Sequence, residues 1–233
     1  MRDLEAQAAQ FLDTFAQYTD YQHGEQNPYL ARLNGVQTLS RDRALEFLCI
    51  WYSFSRRTPQ ILLSCAAAYP DQPSRKQLMA NYLEEDGLTG EGHEPHYDLL
   101  VHLIEKMGGT LVLNERAESI IEHFMSLLPG MSEARATGFV SGFEHPALDI
   151  TLILMEVVKK AGFPELLDTD PYLRIHVQVE PSHIIWAHGK CLPYIRDRHT
   201  RVEAVRGFTD VMGFWRAFWN LAFERLMPTP VAA

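Results

Sequence analysis

His176, Glu180 and His183 lie in one run, Tyr172-Leu173-Arg174-Ile175-His176-Val177-Gln178-Val179-Glu180-Pro181-Ser182-His183, that reads as helix. With 3.6 residues per turn, a step of four rotates a side chain by about 40° and a step of seven by about −20°. All three groups therefore fall in one narrow sector. Their neighbours Ile175, Val177, Val179, Ile184 and Ile185 are apolar, so the polar stripe sits in a core-like setting. Two imidazoles and a carboxylate converging there suit an iron or zinc ion better than a packed core.

Three further segments carry donors. Leu83-Glu84-Glu85-Asp86-Gly87 reads as a helix end. His93-Glu94-Pro95-His96-Tyr97-Asp98-Leu99-Leu100 opens the next helix, and both His93 and His96 are candidates. His96 is preferred, because Leu99 and Leu100 follow it and helical pattern continues to Gly108. In the third segment, Gly138 to Glu144, the carboxylate sits among apolar residues. An unpaired carboxylate is expensive to bury, and a bound cation is one of the few things that reverses the cost. Gly138 and Gly142 would let a neighbouring helix approach closely. The candidate ligand set is Glu85, His96, Glu144, His176, Glu180 and His183. With no thiolate among them, iron or manganese fits better than zinc.

The elements that must position these donors are helical. The chain has 233 residues, 46% of them hydrophobic and 22% charged, which suits one domain with a core of its own. Helices are expected at residues 2–18, briefly at 28–33, and from Ser40 as N-cap to about Tyr69 with a kink at Pro59. Others follow at 77–85, 96–107, 115–128, 132–145, 147–162, 168–194 and 198–226. The tail from 227 to 233 should fray. Pro181 should kink the ligand helix or impose a π-bulge. The expected architecture is an all-α bundle of roughly seven to nine helices in a single domain.

The formal net charge of −9 argues against nonspecific nucleic-acid binding. No apolar run is long enough to span a membrane. Cys49, Cys65 and Cys191 form no CxxC pair, and the N-terminus lacks an apolar signal core, so a cytoplasmic protein is expected. His23, His102, His123, His145, His188 and His199 lack a partner pattern and are assigned to surfaces or caps.

In its ordered set of motifs the chain resembles the haem-oxygenase-like dimetal oxidases, helical proteins related to the TenA and PqqC folds. The resemblance rests on Glu85 with Gly87 close behind, His96 with Leu99-Leu100, Glu144 closing a Gly-rich helix, and His176/Glu180/His183. Asn27-Pro28-Tyr29-Leu30, Leu39-Ser40 and Trp51-Tyr52-Ser53-Phe54 add to it, and it covers roughly residues 20 to 225. One departure is Glu180, where the family usually has Asp; the extra methylene shifts the carboxylate by about 1.5 Å.

The resemblance implies two iron ions that jointly deliver electrons to O₂ for oxidation of a small molecule, such as an amine, amino acid or fatty acid. It also implies a homodimer, which the apolar breadth of the last helix allows. Tyr172, one turn before His176, is the candidate catalytic side chain, as a hydrogen-bond partner or redox-active phenol. Arg56-Arg57 could meet a substrate carboxylate. Two alternatives compete: a metal-independent TenA- or PqqC-like enzyme acting on an aromatic heterocycle, and a helical interaction protein. TenA-type thiaminases need a nucleophilic Cys, and none here has an activating neighbour.

Overall fold

The computed structural model describes residues 10–11, 20–89 and 94–227. Most of the expected 2–18 helix, His93 and the tail from 228 lie outside them. The described elements are α1 (Pro28–Asn34), α2 (Arg41–Ser55), α3 (Thr58–Ala68), α4 (Gln72–Glu85), α5 (His96–Lys106) and α6 (Glu115–Met125). They continue as α7 (Glu133–Glu144), α8 (Ala147–Lys160), the short α9 (Leu166–Thr169), α10 (Pro171–Arg196) and α11 (Arg201–Leu226). Among the described residues there is no strand, and the fold is all-α. No helix among them is long and apolar enough to cross a membrane.

Local chemistry sets most helix starts. Asn27, Asp71, Asn114, Ser132 and Asp170 each accept a backbone N–H of the first turn. Ser40 does occupy the cap position of α2, but its side chain makes no capping bond. Asp170 is buried at 1% exposure, and its other oxygen takes the Lys106 ammonium at 2.8 Å. That ion pair ties the start of α10 to the end of α5.

One proline expectation is corrected, and of the other only the π-bulge is ruled out. The helix from Ser40 to Tyr69 is not one kinked rod. It breaks at Arg56–Arg57, and Pro59 falls in the first turn of α3, where a missing N–H is harmless. Conversely, α10 runs through Pro181 as an α-helix with no π-turn. The proline removes its own ladder bond to the Val177 carbonyl, and Ser182 Oγ donates to the nearby Val179 carbonyl at 2.8 Å. The expected 168–194 helix likewise divides at Asp170, because Pro171 starts a new helix.

The long α11 packs most extensively against α7. The contact is backbone to backbone. A methyl at Gly138 would run into the Ala204 carbonyl, one at Gly142 would lie 2.9 Å from the Phe208 carbonyl, and one at Gly207 would strike the Arg135 carbonyl. Across this seam α11 lays Phe208, Val211, Phe214, Trp215, Phe218, Trp219 and Phe223 into the core, all at most 6% exposed. The small-residue spacing read at Gly138 and Gly142 thus has its physical reason. Gly138→Ala should cost about 1–3 kcal/mol through overpacking, read as a lower denaturant midpoint. An unchanged midpoint would mean that the two helices can slide apart freely.

Candidate metal centre

Three of the four donor segments deliver their ligands from helix ends. Glu85 is the last residue of α4, His96 the first of α5 and Glu144 the last of α7. Gly87, at φ 66°, lets the chain leave α4 in a conformation that disfavours other residues. A side chain there would also strike the Glu94–Pro95 backbone. This close return sets His96 Nδ1 3.2 Å from Glu85 Oε1. The fourth segment, mid-α10, supplies His176, Glu180 and His183 from adjacent turns.

The six predicted residues come together as two triads. Glu85, His96 and His176 form one, and Glu144, Glu180 and His183 the other; within each, the potential ligand atoms lie within 4.8 Å of one another. The rings of His96 and His176 are 5.1 Å apart, edge to face. His176 Nδ1 lies 2.7 Å from the Tyr172 carbonyl. A carbonyl only accepts, so Nδ1 carries the proton and Nε2 keeps its lone pair for the triad. Glu84, which the spacing did not single out, places Oε2 3.7 Å from His183 Nε2.

The electrostatics are those of a site short of positive charge. Burial pushes the Glu144 and Glu180 carboxyls up, and neighbouring carboxylates push further; among the described residues His183 is the cation that opposes them. Burial also acts on Glu85, but the charges of His96, His176 and His183 outweigh it and hold its carboxyl below the usual value. Burial would lower His183, yet Glu84, Glu144 and Glu180 together raise it to about 9. His176 is depressed, chiefly by burial. His96 Nδ1 is buried without a well-aligned hydrogen bond, although Glu85 is close. Carboxylates and imidazoles in this proportion, with an under-bonded buried nitrogen, fit hard to borderline cations such as iron or manganese.

Both triads border one narrow cavity of about 50 Å³, room for roughly three or four water-sized molecules. Its wall is apolar on one side, with Trp51, Phe54, Phe143, Ile150, Leu154 and Trp215; Ser55, Thr58 and Thr151 add hydroxyls. Among the described residues, no Lys or Arg lines it. Arg56, read as a partner for a substrate carboxylate, is instead paired with Glu118 at 2.5 Å, and Arg57 donates to Gln60 at 3.1 Å. Tyr172 is at the cavity, 1% exposed, with its ring 4.4 Å from that of His176. Its hydroxyl accepts the Trp51 indole N–H at 2.5 Å.

Of the histidines assigned to surfaces or caps, His145 does occupy the C-cap of α7 but is buried, and His188 is neither at the surface nor at a cap. His145 and His188 are buried at 4% and 1% exposure. They form a row with half-exposed His23: His23 Nε2 to His145 Nε2 is 3.1 Å, and His145 Nδ1 to His188 Nε2 is 3.0 Å. Asp149 Oδ2 closes the row at 2.9 Å from His23 Nδ1. Burial holds His145 well below its ordinary value and takes His188 down to about 3. The members come from positions 23, 145, 149 and 188, so no local spacing could have joined them. All three cysteines are free and buried. Burial raises their thiols, which removes the thiolate a nucleophile needs.

An all-α bundle that gathers carboxylates and imidazoles into two triads defines a helical protein with two candidate metal-binding groups. The chain belongs to the family of iron-containing redox enzymes, of haem-oxygenase-like fold, whose sequence model matches residues 45–216. Among solved structures, a CADD-like protein of unknown function from Nostoc punctiforme shares the fold. It is 18% identical, with 97% of this chain and 100% of that chain covered and a TM-score of 0.74. A second structure of that protein gives 16% identity, full coverage of both chains and a TM-score of 0.72. No curated protein matches the sequence.

The shifted groups predict how the metal-free protein responds to pH. Glu144, Glu180, His96 and His183 all have folded values raised above their unfolded ones. Each therefore contributes stability at low pH that is lost as pH rises through the folded value. The groups shifted the other way, Glu85, His145, His176 and His188, have finished titrating above their ordinary values of 4.5 and 6.5. Between pH 7 and about 9, the range that His183 spans, the chelated protein should lose thermal stability. Saturating Fe(II) or Mn(II) should flatten that slope and release protons on binding. Differential scanning calorimetry with and without metal reads both effects; a flat profile for the chelated protein contradicts the charge balance described.

Proposed function

We propose that the chain is a non-haem dimetal oxidase that holds two iron ions, one per triad, and activates O₂ to oxidise a small metabolite. The observation that carries this reading is the pair of largely buried triads, each with three O or N donors within 4.8 Å of one another and two members on the same cavity. Three protein ligands leave coordination positions open on each ion. Manganese is compatible with the same donors. Two irons supply the electrons that reduce O₂, and the protein's side chains supply everything else.

The residues divide the remaining work. Glu85, His96 and His176 would hold one ion, and Glu144, Glu180 and His183 the other. The Tyr172 carbonyl takes the His176 Nδ1 proton, so that Nε2 would be free to hold an ion. Asp170 and Lys106 hold α10 and α5 in register, so that His96 and His176 keep their spacing. Trp51, Phe54, Phe143 and Trp215 exclude water from the oxidising side of the cavity. A lining without Lys or Arg favours a neutral or apolar group beside the ions over an unaccompanied carboxylate. A cytoplasmic location is part of the same proposal, on the free cysteines; homodimerisation is proposed from the resemblance alone, because the apolar face of α11 is spent in the core.

Iron content decides the reading. Anaerobic titration with Fe(II), followed by removal of loose metal, should leave two irons per chain, with Mössbauer parameters of six- or five-coordinate O/N sites. His176→Ala should reduce that to one, and Glu180→Ala should do the same at the other triad, with helix content by circular dichroism unchanged. O₂ uptake by the reduced protein should be lost in both. Iron stoichiometry unaltered by either substitution sinks the proposal.

A further inference from the structure

Three of the chain's four tryptophans stand in one stack between the metal-side cavity and the surface. Trp51 and Trp219 are nearly parallel, 7° apart in plane, with centroids 5.6 Å apart. Trp215 lies beside both, at 6.2 Å and 20° from Trp51 and 6.1 Å and 18° from Trp219. At the inner end, Trp51 donates its indole N–H to the Tyr172 hydroxyl, and Tyr172 meets the His176 ring. At the outer end, Tyr29 sits 6.2 Å from Trp219, and its hydroxyl meets exposed Asn220 at 3.1 Å. A surface pocket of about 120 Å³ opens there, with Trp215, Trp219 and Tyr29 among its lining residues.

Phenylalanine would fill most of this volume equally well. Indole and phenol differ from it in giving up an electron readily, and adjacent rings at these separations exchange electrons efficiently. We propose that Tyr172, Trp51, Trp219 and Tyr29 form a one-electron relay between the metal centre and the surface pocket, with Trp215 as a side branch. The inference rests on the dimetal reading for its purpose. When O₂ has oxidised the centre and no substrate is bound, the oxidising equivalent leaves along the stack instead of attacking the ligands.

The step balances. A thiol or ascorbate-type reductant at the pocket gives one electron to oxidised Tyr29 or Trp219 and releases its own proton to water. That electron replaces one passed from Trp219 to Trp51, and Trp51 replaces one passed through Tyr172 to the metal centre. The centre is reduced by one electron. Each tyrosine gives up its hydroxyl proton while it is oxidised and takes it back on reduction, the indole N–H stays in place, and the one proton released overall is the reductant's.

The relay can be driven without metal. Photo-oxidation of the chelated protein by a tris(bipyridine)ruthenium sensitiser injects a hole from the surface. Transient absorption should show a tryptophan radical that decays into a tyrosine radical, and freeze-quench electron paramagnetic resonance should assign that radical to Tyr172 by its loss in Tyr172→Phe. Trp51→Phe and the double variant Trp215→Phe with Trp219→Phe, which closes the side branch as well, each checked for wild-type helicity, should each lose the Tyr172 radical. A Tyr172 radical formed in wild-type yield in either helical variant overturns the relay, as does its absence from the wild type. Iron uptake is measured separately. A chain that binds no iron but passes holes to Tyr172 disproves the dimetal reading and leaves the relay standing. A chain that binds two irons and passes none disproves the relay alone.

Discussion

Carboxylates cannot be left uncompensated inside a helical core. This constraint shapes the middle of the molecule. Glu85, Glu144 and Glu180 are drawn inward with three imidazoles, yet no arginine or lysine is supplied to them among the described ion pairs. Elsewhere the chain does supply such partners: Asp170 has Lys106, Glu118 has Arg56 and Asp210 has Arg135. At the centre the protein leaves the charge open. Protons fill part of the deficit, as the raised carboxyls and His183 indicate. A divalent cation in each triad offsets it more completely, because it satisfies several oxygens at once.

The bundle is arranged so that this open charge stays in place. Glu85, His96 and Glu144 occupy helix ends, where the backbone direction is set by a cap or a glycine and not by the helix interior. Only α10 carries ligands mid-helix, and it is anchored at its start by Asp170. The α7–α11 seam, closed by Gly138, Gly142 and Gly207, brings the backbone of α11 against the helix that ends in Glu144. Trp215 crosses that seam, donating its indole N–H to the Gly142 carbonyl at 3.3 Å while its ring borders the cavity. Packing, ligand placement and the aromatic stack are therefore one construction.

The legible parts of this design were those with local periodicity or local punctuation. Helical spacing alone put His176, Glu180 and His183 on one face, and the glycine–apolar pattern before Glu144 announced a close helix contact. The all-α class followed from the absence of alternating runs. Proline effects were read less well. A proline removes one donor, and whether the chain then breaks, kinks or continues depends on what else can satisfy the freed carbonyl. At Arg56–Arg57 the helix ended; at Pro181 it continued. The contacts among His23, His145 and His188 were missed for a different reason: these residues approach only after the chain has folded back on itself.

By itself, the sequence determined which residues could bind a cation and which helices would carry them, because side-chain type and the 3.6-residue turn are local properties. Only the tertiary structure decided how six donors divide into two triads, and that both open on one cavity without a basic side chain among its described residues. It also decided that three indoles line up from Tyr172 to the surface. Those facts depend on how separate helices cross, and crossing is set by backbone contacts such as Gly138 against Ala204, which no single stretch of sequence contains.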